Sequence, residues 1–174
     1  MARDVATLDA LSPDGFAAAA APWFEGAPRF LARLAAARPF RDESTLFARA
    51  AEIALAMPED EQLELINAHP RLGAPPASVS AASFREQGYD RETTAALADL
   101  ARLNAEYEER FGFRFCVFVN GRSRPELVPI LDAALGADRE AEVRRALGDI
   151  VAIARDRFRR ASEPAETGAR EVVA

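Results

Sequence analysis

Phe113-Arg114-Phe115-Cys116-Val117-Phe118-Val119, followed by Asn120-Gly121, is the stretch on which the fold class turns. Aromatic and β-branched residues crowd the run, and Asn-Gly is a turn dipeptide. Taken alone, it reads as a strand entering a hairpin. A hairpin needs a second strand, and residues 123–135 return to a helical pattern instead. A lone strand would leave its N–H and C=O groups unpaired. Either the run is helical, or its backbone bonds something other than a neighbouring strand.

On both sides the periodicity is helical. Upstream, Asp90 to Arg110 carries Leu97, Leu100, Leu103, Tyr107 and Phe111 on one face, with Gly112 as the stop. Downstream, a helix over roughly 138–160 presents Val143, Leu147, Ile150, Ala154 and Phe158. Nearer the start, Ser12-Pro13-Asp14 opens a helix to about Ala20, and Pro28 opens another that ends before Pro39. Asp42-Glu43-Ser44 precedes the stripe Leu46, Phe47, Ala50, Ile53, Ala54 and Met57. Pro58 with Glu59, Asp60 and Glu61 begins a further helix, which Pro70 ends. Residues 71–82, with Gly73, Pro75 and Pro76, form the clearest loop, and Ser83 to Gln87 a brief helical turn. The expectation is an all-α, single-domain bundle of about seven to eight helices over residues 1–161, with a frayed tail over 162–174.

The composition excludes whole classes of chemistry. The 174 residues, 18.9 kDa, suffice for one hydrophobic core. All 22 basic residues are Arg, against 28 acids, for a net charge of −6. An acidic chain is a poor partner for nucleic acid. Without Lys there is no Schiff base, no pyridoxal phosphate attachment and no phosphate-loop Lys. One Cys and one His are too few for a zinc site of Cys and His ligands. No apolar run reaches the ~18 residues of a membrane span. The N-terminus lacks the long apolar core of a secretory signal, and a lone Cys suits a reducing compartment. The expectation is a cytoplasmic protein that binds neither membrane nor nucleic acid.

Few residues remain for chemistry. His69, before Pro70 at a helix end, is either a surface imidazole favoured by the helix dipole or a general acid or base. Ser83 and Glu86 are spaced as a capping box; alternatively Glu86 orients His69 or a polar ligand, with Gln87 reading an amide edge. Arg157 falls on the apolar side of the last helix, where a guanidinium either snorkels to solvent or pairs with an internal carboxylate, or else forms a fork for a substrate carboxylate. Cys116 reads as an inert buried thiol.

In order along the chain, five fragments resemble one family. They are His69-Pro70-Arg71-Leu72-Gly73, Ser83-Phe84-Arg85-Glu86-Gln87-Gly88, and Leu103-Asn104-Ala105-Glu106-Tyr107 leading into Arg110-Phe111-Gly112-Phe113-Arg114-Phe115. Gly121-Arg122-Ser123 and Ile153-Ala154-Arg155-Asp156-Arg157-Phe158 complete the series. The family is 2-oxo-4-hydroxy-4-carboxy-5-ureidoimidazoline (OHCU) decarboxylase, of urate breakdown. One departure is the loop Gly73-Ala74-Pro75-Pro76, where many members carry a Lys. The resemblance implies an all-α homodimer without metal or organic cofactor, a carboxy-lyase that converts OHCU to (S)-allantoin and carbon dioxide. Carried over, His69 is the acid/base and Glu86 and Arg157 complete the catalytic set. Pro70, Ser83 and Gln87 line the site, with the backbone of Phe115, Cys116, Val117, Phe118 and Val119 facing substrate. Decarboxylation without a cofactor fits, because the nitrogen-rich ring of OHCU is its own electron sink. A helical binding or scaffold protein, or a ureide enzyme with a shifted substrate, are the alternatives.

Overall fold

The computed structural model describes residues 4–74, 80, 81 and 94–162. Among them are eight helices: α1 (Val5–Asp9), α2 (Pro13–Ala20), α3 (Pro28–Ala36), α4 (Glu43–Ala56), α5 (Glu59–Ala68), α6 (Thr94–Phe111), α7 (Arg124–Ala134) and α8 (Arg139–Ser162). The expected turn at 83–87 and the tail from 163 onward lie outside the described residues.

The helix starts follow from local chemistry. Ser12 accepts the Gly15 N–H at 3.1 Å, and Asp42 accepts that of Thr45 at 2.7 Å. Each satisfies a donor that the first turn leaves without an intrahelical partner. Ahead of α7, the Glu126 carboxylate accepts both the Ser123 N–H, at 2.8 Å, and its hydroxyl, at 2.6 Å.

The predicted stripes face the core, with Ile53 and Leu97 only half-buried. Leu46, Phe47, Ala50, Ala54 and Met57 are buried, as are Leu100, Leu103, Tyr107 and Phe111, and Val143, Leu147, Ile150, Ala154 and Phe158. The long helix α8 packs against α4 and α5, α6 against α7, and α2 and α4 against α3.

Residues 114–119 are neither strand nor helix. Of the two alternatives left open, the helical one is set aside, and the backbone bonds something other than a neighbouring strand. The Cys116 carbonyl accepts Arg145 Nη1 at 2.8 Å, and the Val119 carbonyl accepts Arg122 Nε at 2.9 Å. Arg122 also donates to the Phe118 carbonyl. Guanidinium groups thus replace a neighbouring strand. Phe113 and Phe115 turn inward onto Tyr107, with ring centroids 5.6 and 5.2 Å away. Asn120 and Gly121 do make a turn, both left-handed at φ 49° and 74°, closed by the Arg122 N–H on the Val119 carbonyl at 3.1 Å. It leads into α7 rather than a second strand.

Candidate active site

His69 caps the C-terminus of α5. Its backbone leaves the helix at ψ 140°, with Pro70 next in the chain, so the ring folds back along the last turn. Nδ1 lies 3.1 Å from the Leu65 carbonyl. A carbonyl can only accept, so Nδ1 carries the proton and the neutral ring presents a bare lone pair at Nε2. His69 is 3% exposed, which rules out the surface reading. Among the described residues Nε2 meets no hydrogen-bond partner. Burial, and next the nearby Arg157 charge, push the imidazole down to about 4, against smaller opposing effects of the Leu65 carbonyl and Glu25. At neutral pH the group is therefore an uncharged base with its acceptor nitrogen unspent.

The turn beyond His69 is held by α6. Asn104 Nδ2 donates to the Leu72 carbonyl at 2.9 Å, and Arg71 makes a two-point ion pair with Glu108, both contacts at 2.5 Å. Gly73 sits at φ 74°, and a Cβ there would come within 3.3 Å of Leu100 Cδ1. Only glycine suits that combination. The His-Pro-Arg-Leu-Gly fragment is thus a turn fitted against the Leu-Asn-Ala-Glu-Tyr fragment.

Arg157 is 7% exposed on α8. It donates to the Pro22 carbonyl at 3.0 Å and to that of Trp23 at 3.4 Å, and pairs with Glu25 Oε1 at 2.9 Å. The guanidinium is buried with an internal carboxylate, one of the readings its position allowed. Glu25 also accepts the Ser80 hydroxyl at 3.0 Å. Sequence reasoning missed Glu25, although a signal existed: it is the sole charged residue between Asp14 and Arg29.

The extended segment joins the same neighbourhood through Arg114. Its N–H donates to Asn67 Oδ1 at 2.9 Å, and its Nη1 donates to the carbonyls of Asn67, at 2.8 Å, and His69, at 3.1 Å. These are carbonyls that the end of α5 leaves unspent. The side chains of Phe115, Cys116, Val117 and Val119 are buried, and the Cys116, Phe118 and Val119 carbonyls already accept from Arg145 and Arg122, so what this segment can offer a ligand is its remaining backbone groups. Ser83, Glu86 and Gln87 lie outside the described residues. A hollow of about 330 Å³ runs beside Arg71, Glu108 and Arg114, but its lining does not include His69 or Arg157. Among the described residues no three His, Cys, Asp or Glu side chains gather as a metal site.

Among the described residues a buried base, a paired guanidinium and an extended backbone lie in one neighbourhood. Residues 9–159 match the profile of the family described as OHCU decarboxylase. The chain belongs to the OHCU decarboxylase family. It is 36% identical over 138 residues to the uric acid degradation bifunctional protein PucL of Bacillus subtilis (strain 168), covering 78% of this chain. It spans 28% of that relative's length. It is 27% identical over 150 residues to the 2-oxo-4-hydroxy-4-carboxy-5-ureidoimidazoline decarboxylase of Haloferax volcanii, covering 84% of this chain and 89% of the relative. Its fold resembles that of OHCU decarboxylase crystallised in the presence of (S)-allantoin, with a TM-score of 0.66 at 22% identity over 79% of this chain and 92% of that one. The all-α expectation for this family member is met. No helix among the described residues is long and apolar enough to cross a membrane.

Proposed function

We propose that this OHCU decarboxylase family member decarboxylates 2-oxo-4-hydroxy-4-carboxy-5-ureidoimidazoline to (S)-allantoin without a cofactor, with His69 as the proton-transfer group. The observation that carries the reading is the buried, uncharged imidazole whose Nε2 keeps its lone pair beside the Arg157–Glu25 pair. Breaking the carbon–carboxylate bond sends its electron pair into the conjugated ring, and carbon dioxide leaves. One proton must then come in, and to one face. A neutral Nε2 can take a proton from water or from the substrate hydroxyl and deliver it there. Arg157 meets an anionic oxygen, and the backbone of Phe115 to Val119 holds ring and ureido atoms. From the family resemblance, Glu86 orients His69, while Pro70, Ser83 and Gln87 complete the lining. The acting unit is a single domain over residues 1–161, working as a homodimer in the cytoplasm.

OHCU decays on its own to racemic allantoin, so handedness is the test. OHCU is generated from urate by the two preceding enzymes, and optical activity is followed by circular dichroism. The protein should produce a fast (S)-allantoin signal. His69→Ala should lose about 10²–10⁴-fold in kcat, the usual worth of a positioned acid or base, while staying folded. An active, folded His69→Ala protein removes His69 from the mechanism. A folded wild type that gives only the racemic background overturns the activity, and points to a binding protein or a shifted substrate.

A further inference from the structure

Glu25 occupies an unfavourable backbone position. Its φ is 49°, in the left-handed region that Gly, Asn and Asp tolerate and a longer side chain rarely adopts. Gly26 follows at φ 76°, and its N–H closes the turn on the Ala21 carbonyl at 2.9 Å. A glycine or asparagine at position 25 would suit this backbone better. What a glutamate adds is a carboxylate that reaches inward: a single oxygen, Oε1, receives Arg157 Nη2 at 2.9 Å and the Ser80 hydroxyl at 3.0 Å. Backbone strain at a half-buried charge next to a catalytic candidate is a reason to look for function.

We propose that Glu25 is a positioning residue that makes Arg157 one half of a neutral pair, so that the site grips an anionic substrate by directed hydrogen bonds rather than by a bare cation. The inference rests on the decarboxylase reading and deepens it. In a decarboxylation the negative charge leaves the carboxylate as carbon dioxide forms. A lone buried cation beside that carboxylate would stabilise the bound substrate more than the transition state, so tighter binding would slow the reaction. Glu25 offsets the cation in advance. It also places a negative charge near the His69 ring to balance Arg157. The charged groups that act on this ring among the described residues are Arg157 from α8 and Glu25 from the turn after α2. The Leu65 carbonyl holds Nδ1, and Arg114 from the extended segment reaches the backbone carbonyl of His69.

The chain has one histidine, so a single imidazole signal reports the site without assignment. Glu25→Gln keeps the acceptor oxygen and removes the charge; Glu25→Asp keeps the charge on a shorter arm. For each variant three quantities are measured: the His69 titration midpoint by NMR, the affinity for hydantoate (a ureido carboxylate) read from the same signal, and the kcat and KM of stereospecific turnover. Glu25→Gln should lower the midpoint, bind hydantoate more tightly, and lower KM while kcat falls roughly tenfold or more, the scale of one charged hydrogen bond. Glu25→Asp should stay nearer the wild type in midpoint and hydantoate affinity. A folded Glu25→Gln with an unchanged midpoint and unchanged hydantoate binding overturns the proposal, as does a rise in KM at constant kcat. If Glu25→Gln fails to fold, a Glu25→Asp protein that loses the wild-type midpoint despite its charge also overturns it. If the wild type makes no (S)-allantoin, the decarboxylase reading fails, and the pairing is judged on midpoint and hydantoate alone.

Discussion

His69 joins two properties that rarely coincide: it is buried, and its acceptor nitrogen is unspent among the described residues. The first carries a stability consequence with a definite sign. In the folded protein the imidazole is pushed down to about 4, against 6.5 for the unperturbed group. Between those values the unfolded chain binds a proton that the folded chain does not, so the contribution of His69 to stability falls as pH drops from 6.5 toward 4 and changes no further below. The depression corresponds to on the order of 3 kcal/mol. Urea unfolding of wild type and His69→Gln at pH 7 and pH 4.5 should show the wild type losing more stability on acidification; equal losses would mean that folding leaves the titration of the imidazole unchanged. The position of His69 before Pro70 was legible in the sequence. Its neutrality was not, because neutrality comes first from burial and then from Arg157, which is distant in the chain and near in space. Glu25 was harder still. Its burial depends on a left-handed turn that no helical stripe announces.

At the scale of elements, the helices were readable because each closes its own hydrogen bonds locally and shows the core one apolar stripe. The extended segment was not, because its partners are Arg122 and Arg145, and a sequence does not declare that a guanidinium will stand in for a strand. The turn after α5 lies between these cases. Its glycine is visible, and its reason appears only with Leu100 of α6 in place. Gly73→Ala forces φ 74° on a side chain and sets a Cβ within 3.3 Å of Leu100. A cost of about 1–2 kcal/mol is expected from the left-handed backbone alone. Thermal unfolding should register it as a lower Tm, and turnover should fall with it, since this turn carries on from the His69 backbone.

Across the whole molecule, a polar network knits α6, α8 and the extended segment. Tyr107 donates to Glu142 Oε2 at 2.7 Å, and Arg145 Nη2 reaches the same oxygen at 2.8 Å. Arg145 also holds Asp149 at 2.8 Å and the Cys116 carbonyl at 2.8 Å, with its guanidinium 4.7 Å from the Phe115 ring centre. Burial, then the bond to Glu142, keep the Tyr107 phenol protonated far above its ordinary range. Glu142 is thus the acceptor for an inward-facing phenol and a half-buried cation. Glu142→Ala should cost about 1–3 kcal/mol by leaving the Tyr107 hydroxyl without its acceptor and Arg145 with Asp149 as its remaining carboxylate, and Glu142→Gln clearly less. Urea denaturation of the two variants separates the cases, and equal losses would mean that the charge contributes nothing.

Trp23, the chain's one tryptophan, stands edge-on to Phe158 at 5.2 Å, and its carbonyl receives Arg157. Indole emission responds to nearby charge and to changes in packing. A ligand that engages Arg157 must therefore alter the field at this fluorophore. The protein carries an intrinsic optical reporter of site occupancy, so binding can be timed by stopped-flow fluorescence without any label.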